Sequence, residues 1–255
     1  MLRLFLPPEK LSSKQITITG DNARYLSLVM RVRPGDPLII FDGLGYKYSC
    51  KILQCHKKEI VVEKISKAPY SVESPVSITL AQGIAKGDKM DFIIQKSTEL
   101  GVRKIIPLIT ARTQIRHTDK IERWRKIASS ASRQSGRDRI PEIDEPVDIR
   151  EFLDSIAAPL AGGNTKGVKE SEGGFGIIFS EEKKERHLKE VLSSLKDTKN
   201  ITILIGPEGG FPMEEVTAAV EKGFTEASLG PRILRTETAP LAALCIIQYE
   251  LGDMG

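Results

Sequence analysis

The stretch ITILIGPEGGFPMEEVTAAVEKGFTEASLGPRILRTETAPLAALCIIQYEL, residues 201–251, decides how the rest of the chain is read. A β-branched apolar run at 201–205 stops at Gly206-Pro207-Glu208-Gly209-Gly210, as a buried parallel strand does when it delivers its chain to a loop. Pro212, Glu214 and Glu215 then open a helix, where a missing N–H costs little and carboxylates meet the positive helix end. Gly223 closes that helix. A second short strand at 225–229 runs into another glycine-led loop, GPRILRTET at 230–238, and Pro240 starts the last helix.

Both loops lack the phosphate-binding patterns. A P-loop needs Lys and Ser/Thr after its last glycine, and the dinucleotide fingerprint needs G-x-G-x-x-G; residues 206–210 have neither. Glu208 opposes phosphate as well, because a carboxylate in an anion nest repels it while tolerating a cationic or hydroxyl-rich ligand. For the glycines alone, an ordinary strand-to-helix connection explains the loops equally well. The second loop tips the balance. Arg232, Arg235, Thr236, Glu237 and Thr238 feed directly into a helix that is apolar nearly all round, and charges held beside a buried helix are costly unless paired or used.

IGPEGGF (205–211) and LGPRILRTETA (229–239), in this order near the C-terminus, resemble the signatures of the RsmE family, bacterial 16S rRNA uridine-N3 methyltransferases of the SPOUT class. KGDKMDFIIQKSTELGV (86–102), RQSGRDRIPEI (133–143) and FDG (41–43) are similar to the family pattern too, so the resemblance spans essentially the whole chain. It implies an α/β fold: a SPOUT-type parallel sheet with a C-terminal deep trefoil knot, plus a small N-terminal PUA-like β-barrel. It also implies S-adenosylmethionine as cofactor, a homodimer, and 16S rRNA as partner, within the 30S subunit. True knots are nearly absent among folds, and periodicity does not reveal one.

A chain of 255 residues can hold one large domain or a small and a medium one. Cys50, Cys55 and Cys245 are odd in number and lack C-x-x-C spacing, and His56, His117 and His187 are scattered, so neither a disulfide framework nor a metal site is expected. The apolar patch at the N-terminus is broken by Pro7 and Pro8, and no apolar run reaches membrane-spanning length; a cytoplasmic location is expected. The net charge of +4 hides an asymmetry, with 12 basic against 6 acidic residues at 1–72 and 11 against 3 at 103–140. Two basic zones suggest a polyanionic partner; solvated faces are the bland alternative.

Residues 1–72 read as β-rich and 73–255 as α/β; the resemblance implies that the first is the PUA-like RNA-binding domain and the second the methyltransferase domain. Strands are expected at 2–6, 16–19, 37–41, 46–53 and 59–65, with turns at Pro34-Gly35-Asp36 and at residues 42–45. One short helix interrupts them, with Asp21 as N-cap and Tyr25, Leu26, Val29 and Met30 on its apolar side. The linker is expected at 68–75. Beyond it, strands at 76–84, 104–109 and 176–179 alternate with helices at 89–100, 120–135, 148–156 and 183–195, which predicts a mostly parallel sheet covered on both faces. The polar stretch 161–174 reads as a mobile surface loop without chemistry.

Methyl transfer from a sulfonium is an in-line displacement that needs positioning and no metal. Uracil N3 bears a proton at neutral pH, so a base must take it and positive groups must steady the charge that spreads onto O2 and O4. Arg235 is the candidate for orienting the carbonyls, and Glu237 or Glu208 for handling the proton or anchoring. Equally, Arg235 and Glu237 can be a structural pair that fixes the loops. By resemblance the cofactor pocket falls on Phe179, Ser180, Ile205, Gly206, Pro207, Glu208, Gly210, Leu229, Gly230, Ile233, Leu234, Arg235, Thr238 and Ala239. Candidate RNA contacts are Arg3, Arg24, Arg31, Arg33, Lys86, Lys89, Arg112, Arg116, Arg133 and Arg137. Two other readings remain: the same chemistry on tRNA or large-subunit rRNA, and a non-catalytic RNA-binding or ribosome-assembly factor.

Overall fold

The structure, a computed structural model, describes residues 2–115, 118–156, 174–180 and 186–255. Arg116, His117 and nearly all of the 161–174 stretch lie outside the described residues. The chain divides into two compact units, one formed by Met1–Glu73 with Ser132–Ile140 and the other by Ser74–Ala131 with Pro141–Gly255.

The first unit is a five-stranded sheet of β1 (Leu2–Phe5), β2 (Gln15–Thr19), β3 (Pro37–Phe41), β4 (Tyr46–Cys55) and β5 (Glu59–Pro69), ordered β1-β3-β4-β5-β2. Period-2 patterning sends Leu4, Ile16, Ile18, Leu38, Ile40, Ile52, Ile60 and Val62 into one core. Asp42 makes the β3–β4 turn, its Oδ1 accepting the N–H of Leu44 at 2.8 Å and of Tyr46 at 3.1 Å. The strand β5 runs four residues beyond its expected end, with Ala68 opposite Lys47 and Pro69 opposite Tyr46. Ala68 and Pro69 are therefore sheet and not linker. The helix α1 (Gly20–Arg24) is capped at Thr19 instead of Asp21 and continues into a π turn at Tyr25–Val29. That turn rotates Val29 and Met30 out to solvent, leaving Leu26 buried and Tyr25 partly buried.

The second unit is an all-parallel sheet. Its strands are β6 (Ser77–Gly83), β7 (Lys104–Ile109), β8 (Glu142–Ile143), β9 (Val147–Asp148), β10 (Phe175–Phe179), β11 (Asn200–Ile205) and β12 (Thr225–Ala227). The order is β12-β10-β11-β6-β7-β8, with β9 also on β7. Helices α2 (Lys89–Glu99), α3 (Ile121–Ser135), α4 (Ile149–Ser155), α5 (Leu188–Leu192), α6 (Met213–Glu221) and α7 (Ala239–Leu251) connect or follow the strands. Ala81, Ile106, Leu108, Ile178 and Leu204 face α4 and α6 in one core. On the other face α7 packs with α2, α5 and β6. Gln248 ties α7 to α2, its Nε2 donating to the Leu100 carbonyl at 3.1 Å. Gly101 follows α2 with φ +85°, as a C′ glycine should. The helix expected at 183–195 is shorter: α5 covers only Leu188–Leu192, and residues 181–185 are outside the described set.

Candidate functional site

Parallel sheets leave their carboxyl ends open for ligands, because the loops that follow neighbouring strands diverge there. In the second unit β10, β11 and β12 lie side by side, and the segments after them, at Phe179-Ser180, residues 205–211 and residues 228–236, surround a cleft of about 390 Å³. Lys89, Arg112 and Ala239 complete its lining. Of the expected cofactor residues, the cleft gathers Phe179, Ser180, Ile205, Gly206, Pro207, Glu208, Gly210, Leu229, Gly230, Ile233, Leu234, Arg235 and Ala239; Thr238 does not line it. Gly210 and Gly230 take φ +65° and +112°, and a Cβ on either would meet no atom within 4 Å, so these backbone turns face open space. Gly206 is different: its Cβ would meet the Gly210 backbone at 2.9 Å, which makes glycine a packing requirement there.

The loops are locked by residues outside the expected catalytic and cofactor sets. Thr236 is buried, and its hydroxyl donates to the Gly206 carbonyl at 2.8 Å. Gln82, at the end of β6, donates to the Gly206 carbonyl and to Thr236 Oγ1, each at 3.3 Å. Gly83 lies so close to the first loop that a Cβ would stand 2.5 Å from Pro207. Ser228 closes the far side, its carbonyl accepting the N–H of Leu188 at 3.0 Å and its hydroxyl the N–H of Gly230 at 3.3 Å. A polar residue ending a buried strand was the available signal for Gln82.

Lys89, expected to meet phosphate, is engaged inside the site. Its Nζ lies 3.0 Å from Glu208 Oε1 and 3.7 Å from Glu237 Oε2. The hydrogen bond to Glu208 raises the Lys89 pKa above the ordinary ammonium value. Burial alone would push the Glu208 carboxyl up, but hydrogen bonds from its own N–H, from Lys89 and from the Lys86 N–H hold it below the usual carboxylate range. Glu208 therefore stays ionised at the cleft. Arg235 is 84% exposed and its guanidinium stops 4.0 Å from Glu237. That contact is too long and too wet to fix the loops, a task that Thr236 and Gln82 perform. Glu237 Oε2 is buried and accepts no hydrogen bond among the described residues.

The remaining cations divide. Arg24, Arg31, Arg33 and Lys86 are exposed. Arg112 is exposed too, yet its Nη1 donates to the Gly209 carbonyl at 2.7 Å. Arg3 lies over the Phe41 and Tyr70 rings and donates to the Tyr70 hydroxyl at 3.2 Å, while Arg133 stacks on Tyr25. Arg137 is a correction to the expected set: it is buried against Glu73 in an ion pair and cannot meet a phosphate. No cluster of potential metal ligands occurs among the described residues, and no described helix is long and apolar enough to cross a membrane.

Comparison with known proteins matches residues 72–248 to the RNA methyltransferase domain family and residues 18–65 to the RNA methyltransferase PUA domain family. Ribosomal RNA small subunit methyltransferase E of Buchnera aphidicola is 36% identical over 92% of this chain and 88% of its own length. The Bacillus subtilis protein of the same name is 34% identical over 92% and 90%. The crystal structure of ribosomal RNA small subunit methyltransferase E from Neisseria gonorrhoeae, bound to S-adenosyl methionine, superposes with a TM-score of 0.86 at 35% identity and covers 100% of both chains.

Proposed function

From the membership of this chain in the RNA methyltransferase family that contains ribosomal RNA small subunit methyltransferase E, we propose that it transfers a methyl group from S-adenosylmethionine to N3 of a specific uridine in 16S rRNA. The observation that carries this reading is the cleft at the carboxyl ends of β10, β11 and β12, which offers backbone polarity, apolar walls and the ionised Glu208 carboxylate. Those features fit the cofactor: open space in front of Gly210 and Gly230 admits a ligand against the backbone, and Ile205, Leu229, Ile233 and Leu234 suit an aromatic base. When bound, S-adenosylmethionine supplies an electrophilic methyl group on a positively charged sulfonium.

The residues of this chain do the rest. Glu208 gives the cleft a negative charge that favours a cationic ligand. Arg235 stands exposed at the cleft and is free to hold the uracil carbonyls while negative charge develops on them. Glu208 and Glu237 are the proposed candidates for handling the N3 proton or anchoring: Glu208 lines the cleft, and Glu237 Oε2 lies 3.7 Å from the same Lys89 Nζ that meets Glu208. Arg24, Arg31, Arg33, Lys86 and Arg112 are the proposed phosphate contacts.

Three finer points belong to the same reading. Residues 1–72 act as the RNA-binding domain and 73–255 as the catalytic one. The segment carrying Thr236 forms part of the trefoil knot that the resemblance to the family implies. On α7 the stripe Leu241, Ala242, Cys245, Ile246 and Tyr249 is left incompletely covered, so a second copy of the chain in a cytoplasmic homodimer is its proposed partner.

The test is methyl incorporation from labelled S-adenosylmethionine into free 16S rRNA, 30S particles, 50S particles and tRNA, followed by nucleoside mass analysis. N3-methyluridine in small-subunit RNA is expected. Incorporation only into tRNA or 50S particles would move the substrate, and no incorporation with no cofactor binding would leave a non-catalytic RNA-binding factor.

A further inference from the structure

The π turn that replaces the end of the expected helix exposes three consecutive large apolar side chains, Leu28, Val29 and Met30, at 56%, 66% and 44%. Apolar residues scattered singly over a surface are ordinary, whereas a contiguous run on a well-held tip marks a contact. This tip is held. The Met30 N–H donates to the Tyr25 carbonyl at 3.0 Å and the Val32 N–H to the Leu26 carbonyl at 3.1 Å, over the buried Leu26 side chain. Arg31, immediately after it, is the one non-glycine residue with positive φ among the described residues, at +52°. A side chain kept in that sparsely populated region is unfavourable, which the turn and its anchors must offset.

The surroundings say what the tip meets. The Ser27 hydroxyl donates to the Lys57 carbonyl at 3.3 Å, which sets the turn at residues 56–59 beside the tip. Arg24, Arg31, Arg33, Lys57 and Lys58 on these segments are all exposed. Of the acidic residues nearby, Asp36 is occupied by the Arg33 N–H at 2.7 Å, leaving Asp21 and Glu59 to face solvent. An apolar point inside a predominantly cationic surround is complementary to a nucleic acid, whose bases are apolar on their faces and whose backbone is anionic.

We propose that Leu28, Val29 and Met30 form an apolar wedge that packs against unstacked bases of a structured RNA while the flanking arginines and lysines hold its phosphates. The wedge rests on the RNA-substrate reading above and adds to it a base-contacting point in the first unit, remote in sequence from the cleft. It gives the N-terminal unit a preference for RNA with loops or bulges over regular duplex, because only splayed bases offer their faces.

The test compares the full-length protein with Leu28→Ser/Val29→Ser/Met30→Ser and with Arg24→Gln/Arg33→Gln. Binding to 16S rRNA and to 30S particles is measured across a salt series, with S-adenosylmethionine calorimetry as a control on the cleft. The serine variant is expected to bind RNA about tenfold more weakly at every salt concentration with the salt slope unchanged, since stacking on a base is worth about 1–3 kcal/mol and releases no counterions. The glutamine variant should instead flatten the slope, and cofactor affinity should stay unchanged in both. Wild-type methylation of rRNA together with undiminished RNA binding by the serine variant would overturn the wedge and leave the enzyme reading intact. No RNA binding by wild type would overturn both. Loss in the serine variant of binding to phosphatidylglycerol vesicles, or a halved solution mass, with RNA binding unchanged, would reassign the tip to a membrane or to self-association.

Discussion

The Thr236 hydroxyl donates to the Gly206 carbonyl at 2.8 Å, joining the loop after β12 to the loop after β11 across a separation of 30 residues. The bond is partly buried and shares its acceptor with Gln82, so it couples two walls of the cleft. Thr236→Val keeps the shape but removes both the donor to the Gly206 carbonyl and the acceptor of the Gln82 side-chain N–H. It is expected to weaken S-adenosylmethionine binding about fivefold to a hundredfold, since leaving the Gly206 carbonyl and the Gln82 amide under-satisfied costs about 1–3 kcal/mol. Titration calorimetry against the wild type checks this, and unchanged affinity would remove Thr236 from the wall.

Gly83→Ala places a Cβ 2.5 Å from Pro207, where backbone and ring cannot both stay. The expected result is a loss of about 1–3 kcal/mol in stability, together with loss of cofactor affinity as the 206–210 loop is pushed outward. Chemical denaturation measures the first and calorimetry the second. An unperturbed variant would show that the loop yields freely.

Lys89→Met should leave the fold intact, because the side chain is partly solvated, yet it strips the shared cation from Glu208 and Glu237. The Glu208 carboxyl then loses hydrogen bonding that holds its pKa down, and the pKa should rise. The acidic limb of a pH–activity profile should accordingly move to higher pH in the variant. A limb that stays in place would mean that Glu208 does not govern it.

Arg235→Ala removes a side chain that is 84% exposed, so thermal stability should be unchanged within error. Methyl transfer should fall by about a hundredfold or more, the scale of losing one donor to a developing oxyanion. Unfolding of the variant would return Arg235 to a structural role.

Asp138 is 1% exposed, and burial, with help from a hydrogen bond to Glu73, pushes its carboxyl up to about 6. The folded pKa is thus above the unfolded one, so the folded state holds the proton more tightly. The stability linked to it is fully present below the unfolded carboxylate pKa and is lost as pH rises to about 6 and beyond. Asp138→Asn, neutral at every pH, should flatten the dependence of the unfolding midpoint between acid and neutral pH. A profile as steep as that of the wild type would assign the effect to another group.

Several features were legible in the chain because they depend on near neighbours. The β-branched run at 201–205 and the glycines after it form β11 and its loop as expected, and Gly101 and Gly223 sit after α2 and α6 with positive φ. The short helix near residue 21 differs from its sequence pattern at both ends: helical spacing groups Val29 and Met30 with Tyr25 and Leu26, and the π turn rotates them out. Only one extra residue per turn is needed for that rotation, and periodicity does not register it. The linker was set too early because Pro69 reads as a breaker, whereas at the end of β5 a missing N–H is tolerated.

The sequence by itself determined the strand–loop–helix rhythm, the two glycine-led loops and the residue types that a methyl-transfer cleft needs, all of which arise from backbone preferences acting over a few residues. Only the tertiary structure decided which groups share that cleft. Lys89 reaches Glu208 across 119 residues and Gln82 reaches Thr236 across 154, because the sheet order sets β6 beside β11. Burial decided the cations as well: Arg137 is an inner ion-pair partner while Arg235, from the same residue type, is left in water. Charge patterning along a chain carries no information about depth, and depth sets whether a guanidinium is free to meet a substrate.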